Sequence, residues 1–130
     1  MYKIKSIDHL VLTVRNIEKT IQFYTNVLGM EKEIFNQNRV ALKFGHQKIN
    51  LHKLTDEFEP KALNIKEGSS DLCFITQTSV EEFKKHIEDN KIEVIEGPIK
   101  RMGAMGEIIS IYIRDPDGNL IEISNYIYKI

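Results

Sequence analysis

Apolar and polar positions along the chain fall into short blocks of two different periods. His9-Leu-Val-Leu-Thr-Val14 is a compact, β-branched apolar run and reads as a strand. After it, Asn16 is placed to cap a helix whose inward stripe is Ile17, Ile21, Tyr24 and Leu28, with Gly29 as its stop. Arg39-Val-Ala-Leu-Lys-Phe44 alternates strictly, Gly45-His-Gln47 reads as a turn, and Lys48-Ile-Asn-Leu-His-Lys53 as the returning strand. Residues 55–70 break the pattern with charges, Pro60 and Gly68-Ser-Ser70, and read as a connector.

The same order of parts then returns. Asp71-Leu-Cys-Phe-Ile-Thr76 is a strand, and Ser79 with Glu82 forms a capping box. Val80, Phe83 and Ile87 make the helical stripe, and an extended piece starts at Val94 and Ile95. Ile108–Ile113 and Leu120–Ile123 form a hairpin around Asp115-Pro-Asp-Gly-Asn119. The reading is an α+β protein of two βαβββ modules, one over 5–54 and one over 71–126, within a single domain of 130 residues. The first strands align His9 with Asp71 and the last strands align Asn50 with Glu122, which leaves an insertion in the second copy. Arg101-Met-Gly-Ala-Met-Gly106 lies in that part and is either a flap over a ligand or a plain connection.

Alternation also assigns the strand faces. One face carries His9, Asn50, His52, Asp71 and Glu122, with Arg39, Lys43, Tyr112 and Arg114 toward its edges. Lysine, glutamate and threonine are the usual solvent-face residues of a sheet. Imidazoles and carboxylates at corresponding strand positions are instead the donors that a divalent transition metal takes. A carboxylate in the otherwise apolar strand around Glu122 costs several kcal/mol to bury unless a cation accompanies it.

Composition narrows the classes. The 18 basic and 19 acidic residues nearly cancel, which argues against a nucleic-acid partner. No apolar run approaches the roughly 20 residues of a membrane helix, and the first residues lack a signal-peptide core. The lone Cys73 excludes an intramolecular disulfide and reads as a small buried strand residue. The expectation is a cytoplasmic protein with a small-molecule partner, bound to neither nucleic acid nor membrane.

Three segments carry a resemblance: Ile7-Asp-His-Leu-Val-Leu12, Phe23-Tyr-Thr-Asn-Val-Leu-Gly29 and Asp115-Pro-Asp-Gly-Asn-Leu-Ile-Glu122. In this order they resemble the vicinal oxygen chelate superfamily, the glyoxalase, bleomycin-resistance and extradiol dioxygenase group. Lys48-Ile-Asn-Leu-His52 and the stretch from Gly97 to Arg114 look more narrowly like its glyoxalase-domain proteins labelled virulence-related. The resemblance implies paired modules with helices outside a curved mixed sheet that forms a metal cup, often in a homodimer. It implies ligands from the first and last strands of each module.

Carried onto this chain, His9 is the first-strand ligand and Glu122 the final carboxylate. Asp71 stands where relatives usually have histidine, and Asn50 where many have glutamate. His52 shares the face of Asn50, about 6.6 Å further along the strand. The candidate metal set is therefore His9, His52, Asp71 and Glu122, for Ni, Zn, Mn, Co or Fe, with Glu122 or Asp71 as catalytic base. Asn50, Arg39, Lys43, Tyr112 and Arg101 are candidate substrate contacts, and the cations point to an anionic substrate. The leading expectation is a metal-dependent glyoxalase-like lyase or isomerase. The alternatives are an Fe(II)-dependent ring-cleaving dioxygenase using His9, His52 and Glu122, and a drug- or metabolite-binding resistance protein without catalysis.

Overall fold

The computed structural model describes residues 1–128. Two compact units divide the chain between Glu67 and Gly68, and each has its own sheet and helix.

In the first unit, β1 (His9–Val14) leads through α1 (Ile17–Asn26) to β2 (Glu31–Phe35), β3 (Arg39–Phe44) and β4 (Gln47–Lys53). The sheet order is β1-β4-β3-β2, with β1 parallel to β4 and the other pairs antiparallel. The Asn16 side chain accepts from the Lys19 amide at 3.0 Å, so the expected cap is in place. Gly29, at φ 71°, ends the helix as the chain turns back, and its amide reaches the Thr25 carbonyl. The buried stripe of α1 is wider than Ile17, Ile21, Tyr24 and Leu28. It takes in Thr20, Phe23 and Val27, while Ile17 and Leu28 lie at its margins. Thr20 is tolerated there because its hydroxyl donates to the Asn16 carbonyl.

In the second unit, β5 (Asp71–Ile75), α2 (Val80–Asp89), β6 (Glu96–Gly103), β7 (Gly106–Arg114) and β8 (Leu120–Tyr126) repeat the plan. The order is β5-β8-β7-β6, with β5 parallel to β8. Ser79 caps α2 by accepting from the Glu82 amide at 3.2 Å. Asn125 ties the β8 end to that helix, accepting from the Val80 amide. Ile111, Ile113, Ile121 and Ile123 are fully buried on the helix side. Arg101–Gly106 is not a separate flap: it is the end of β6, a tight turn and the start of β7. Two four-stranded mixed sheets with one helix each make this an α+β fold of paired βαβββ units. Among the described residues no helix is long and apolar enough to cross a membrane.

The registers of the two sheets correspond. Val11 pairs with Asn50 and Asn50 with Ala41; in the second sheet Cys73 pairs with Glu122 and Glu122 with Tyr112. His9 and Asp71 each begin their parallel strand, and Glu33 and Glu96 sit at matching places on the outer strands.

Candidate functional site

Each sheet covers one face with its helix and leaves polar side chains on the other, and the candidate residues divide between these two polar faces.

In the first unit, Thr13, His52, Arg39 and Phe35 lie in one row across the strands, and Val11, Asn50, Ala41 and Glu33 in the next. His52 is 4% exposed, and its Nε2 lies 3.4 Å from Arg39 Nη2. Its ring meets Phe58 edge-on at 5.3 Å. Arg39 stacks over Phe58 at 4.4 Å and over Phe35 at 5.3 Å. Phe58 arrives from the chain beyond β4, where Thr55 takes a left-handed φ of 72° and its amide donates to Glu57 at 2.7 Å. Such a φ is unusual for a β-branched residue, and here it turns the chain back over the sheet end. Glu33 accepts from Lys48 and pairs with Lys43 at 3.6 Å. Asn50 is 6% exposed, and its Oδ1 is buried with no hydrogen-bond donor. An unsatisfied acceptor of this kind costs about 1–3 kcal/mol.

Burial, followed by the neighbouring Arg39 cation, lowers the His52 pKa, so the ring is neutral at neutral pH. An unfolded histidine titrates near ~6.5. His52 therefore contributes its stability above that pH and loses it as pH falls through that value toward the lower folded one. Thermal melts between pH 7.5 and 5.5 check this: the melting temperature falls on acidification, and His52→Gln flattens the slope.

His9 begins β1 half-exposed, with Nδ1 2.8 Å from Asp8 Oδ2. Its Nε2 has no partner among the described residues.

In the second unit, Glu122 Oε2 accepts from Ser110 Oγ at 2.5 Å and from Ser124 Oγ at 3.5 Å. The two serine hydroxyls lie 2.6 Å apart, and Cys73 Sγ is 3.4 Å from Ser124. Among the described residues no lysine or arginine pairs with Glu122. Tyr112, across the pair from Glu122, accepts from Arg101 Nε at 3.0 Å, and Arg101 also meets Glu96 at 3.2 Å. Burial and the nearby Glu122 raise the Tyr112 pKa against the opposing Arg101 bond. Partial desolvation of its Sγ on the sheet face is the main reason the Cys73 thiol is pushed up, with Glu122 and Asp71 adding to it, so Cys73 is a thiol and not a thiolate at neutral pH. Cys73 is exposed on this polar face, where the sequence suggested a buried strand residue. Asp71 is exposed at the start of β5. Arg114 donates to the Gly118 carbonyl beside the turn.

The four candidate ligands lie two in each unit, and no three His, Cys, Asp or Glu side chains cluster for a metal among the described residues. Asp8, Lys48, Phe35, Phe58, Ser110 and Ser124 were not among the expected site residues. The serines could have been found, since they share the phase of Glu122 on apolar strands. Phe58 could not, because it lies outside any periodic segment.

The family model described as the Glyoxalase/Bleomycin resistance protein/Dioxygenase superfamily matches residues 6–123. The chain belongs to this superfamily. It is 59% identical over 124 residues to virulence protein STM3117 of Salmonella typhimurium, covering 95% of this chain and 86% of that protein. The crystal structure of STM3117 superposes with a TM-score of 0.95, covering 97% of this chain and 100% of that one. The glyoxalase domain-containing protein RDO1 of Mycosarcoma maydis is 55% identical over 95% of this chain and 69% of its own length. Metallothiol transferase FosB of Staphylococcus haemolyticus is 26% identical over 92% of this chain and 83% of its own. Superfamily members commonly use a divalent metal and bind small molecules.

Proposed function

We propose that the protein is a divalent-metal-dependent, glyoxalase-type lyase or isomerase that acts, as a homodimer, on a small oxygen-bearing anion. The observation that carries this reading is Glu122. Its carboxylate lies half-buried on β8 between Ile121 and Ile123, held by the Ser110 and Ser124 hydroxyls, with no lysine or arginine paired to it among the described residues. A divalent cation supplies the charge that this place lacks. His9 fits the same role: Nδ1 is turned to the Asp8 carboxylate and Nε2 is left for a metal, the usual arrangement of a ligating histidine. His52 fits less well, because Arg39 stands at its Nε2. Asp71 serves as a further ligand or as a base.

The donors suit Zn, Ni, Co, Mn or Fe, and the metal would act as a Lewis acid toward substrate oxygens. Glu122 takes and returns the proton. Ser110 and Ser124 fix the carboxylate that does so. Arg101 holds Tyr112 as the neighbouring wall. The name of the FosB relative, a metallothiol transferase, supports a metal-dependent reading.

Chelator-stripped protein reloaded with each metal tests it. Stoichiometric uptake that His9→Ala abolishes, with turnover of α-ketoaldehyde–thiol adducts, is the expected result. Oxygen consumption on catechols with Fe(II) would move the reading to a ring-cleaving dioxygenase. Absence of uptake by the wild type would refute it.

A further inference from the structure

The polar face of the first unit holds two groups that complete neither their charge nor their hydrogen bonding within the chain. Arg39 is one. The acidic residues around it are engaged elsewhere: Glu33 with Lys43 and Lys48, and Glu57 with the Thr55 amide and Lys61. Among the described residues no carboxylate pairs with Arg39, and its contacts are two aromatic rings and one imidazole nitrogen. The rings fix the plane of the guanidinium, and a fixed planar fork is suited to a carboxylate.

Asn50 is the other. Its buried Oδ1 has no donor, and its cross-strand neighbours Val11 and Ala41 have none to give. An acceptor in this state calls for a hydroxyl or amino group from outside the chain.

The two groups are close. Val40 pairs with Leu51 and Ala41 with Asn50, so Arg39 lies opposite His52 and diagonal to Asn50. Diagonal neighbours on one sheet face are about 7–8 Å apart. We propose that this face binds a small monocarboxylate that bears a hydroxyl or amino donor, with the carboxylate on Arg39 and the donor on Asn50 Oδ1. A monoanion is favoured over a phosphate dianion because Glu33 balances part of the lysine charge and leaves Arg39 as the cation without a partner. The proposal rests on the small-anion part of the reading above, and it uses no metal.

Calorimetric titration in the presence of EDTA tests it, with 3- and 4-hydroxybenzoate, benzoate, 4-hydroxybenzamide and inorganic phosphate as probes. At least one hydroxybenzoate is expected to bind about tenfold tighter than benzoate and the neutral amide. Asn50→Leu should erase the advantage over benzoate and leave benzoate affinity unchanged, with Asn50→Ala as a second variant if the first fails to fold. Arg39→Met should lose both carboxylates. Equal binding of benzoate and both hydroxybenzoates would mean that water satisfies Asn50, and would overturn the proposal. So would an advantage that survives Asn50→Leu, or phosphate as the preferred probe. Metal uptake without carboxylate binding would refute this site alone; carboxylate binding without metal uptake would refute the metal reading alone.

Discussion

Glu122→Gln lowers turnover by about 10²–10⁴-fold, the usual contribution of a positioned acid–base group. The substitution preserves length and shape but removes the charge. Ser110 and Ser124 can still hydrogen bond to the amide, and each hydroxyl can reverse its donor role. The fold is therefore expected to persist, with unchanged circular dichroism and a melting temperature within a few degrees of the wild type. Metal stoichiometry is expected to fall along with turnover, because a neutral amide oxygen is a weaker donor than a carboxylate for a divalent ion. Full uptake and turnover by Glu122→Gln would remove Glu122 from the centre of the site.

The largest effect on stability is expected at Asp115, in the turn between β7 and β8. Its Oδ1 accepts from the amides of Asp117 and Asn119, each at 2.9 Å, and its Oδ2 from the Asn119 side chain at 2.8 Å. Asn119 is 1% exposed and passes the connection on, accepting from the Ser70 amide at 2.9 Å. The carboxylate thus organises the turn between β7 and β8 and also anchors the approach to β5. Asp115→Ala leaves three donors without their acceptor in a buried place. At about 1 kcal/mol or more each, the loss is about 3 kcal/mol. For a chain of this size that is roughly a 10 °C drop in melting temperature. Asp115→Asn keeps one acceptor but turns an amino group toward that of Asn119, so an intermediate loss is expected. A drop of under 2 °C for Asp115→Ala, measured calorimetrically, would show that water replaces the carboxylate.

This turn was legible in the sequence, because aspartate, proline and glycine at fixed offsets have conformational reasons to be there. So were the faces of β1, β3, β4, β7 and β8, where strict alternation decides which side chain points where. The remainder was hidden for physical reasons. β2 is an outer strand of sequence Glu-Lys-Glu-Ile-Phe, with too little burial to impose a period. β6 runs through Gly97-Pro98, where the register shifts between Glu96 and Ile99, and an irregular strand leaves no alternation to read. Gly97 has a backbone reason: a Cβ there would lie 2.3 Å from the Ser110 carbonyl. The phase of the polar faces was readable. What alternation cannot reveal is which side chains engage one another, such as Arg39 with His52 and Phe58, or Ser110 with Glu122.

The matching registers of the two sheets bear on how such a protein diversifies. Asn50 stands where the other copy has Glu122, and Ala41 where it has Tyr112. One copy has become cationic and aromatic, with Arg39, Phe35 and Phe58, while the other has gathered a carboxylate, two serine hydroxyls and a phenol. Two sheets of one plan thus carry different chemistry at corresponding places. Each sheet packs its own helix against its apolar face. The same register position thus serves as a buried acceptor amide in one unit and as a carboxylate in the other.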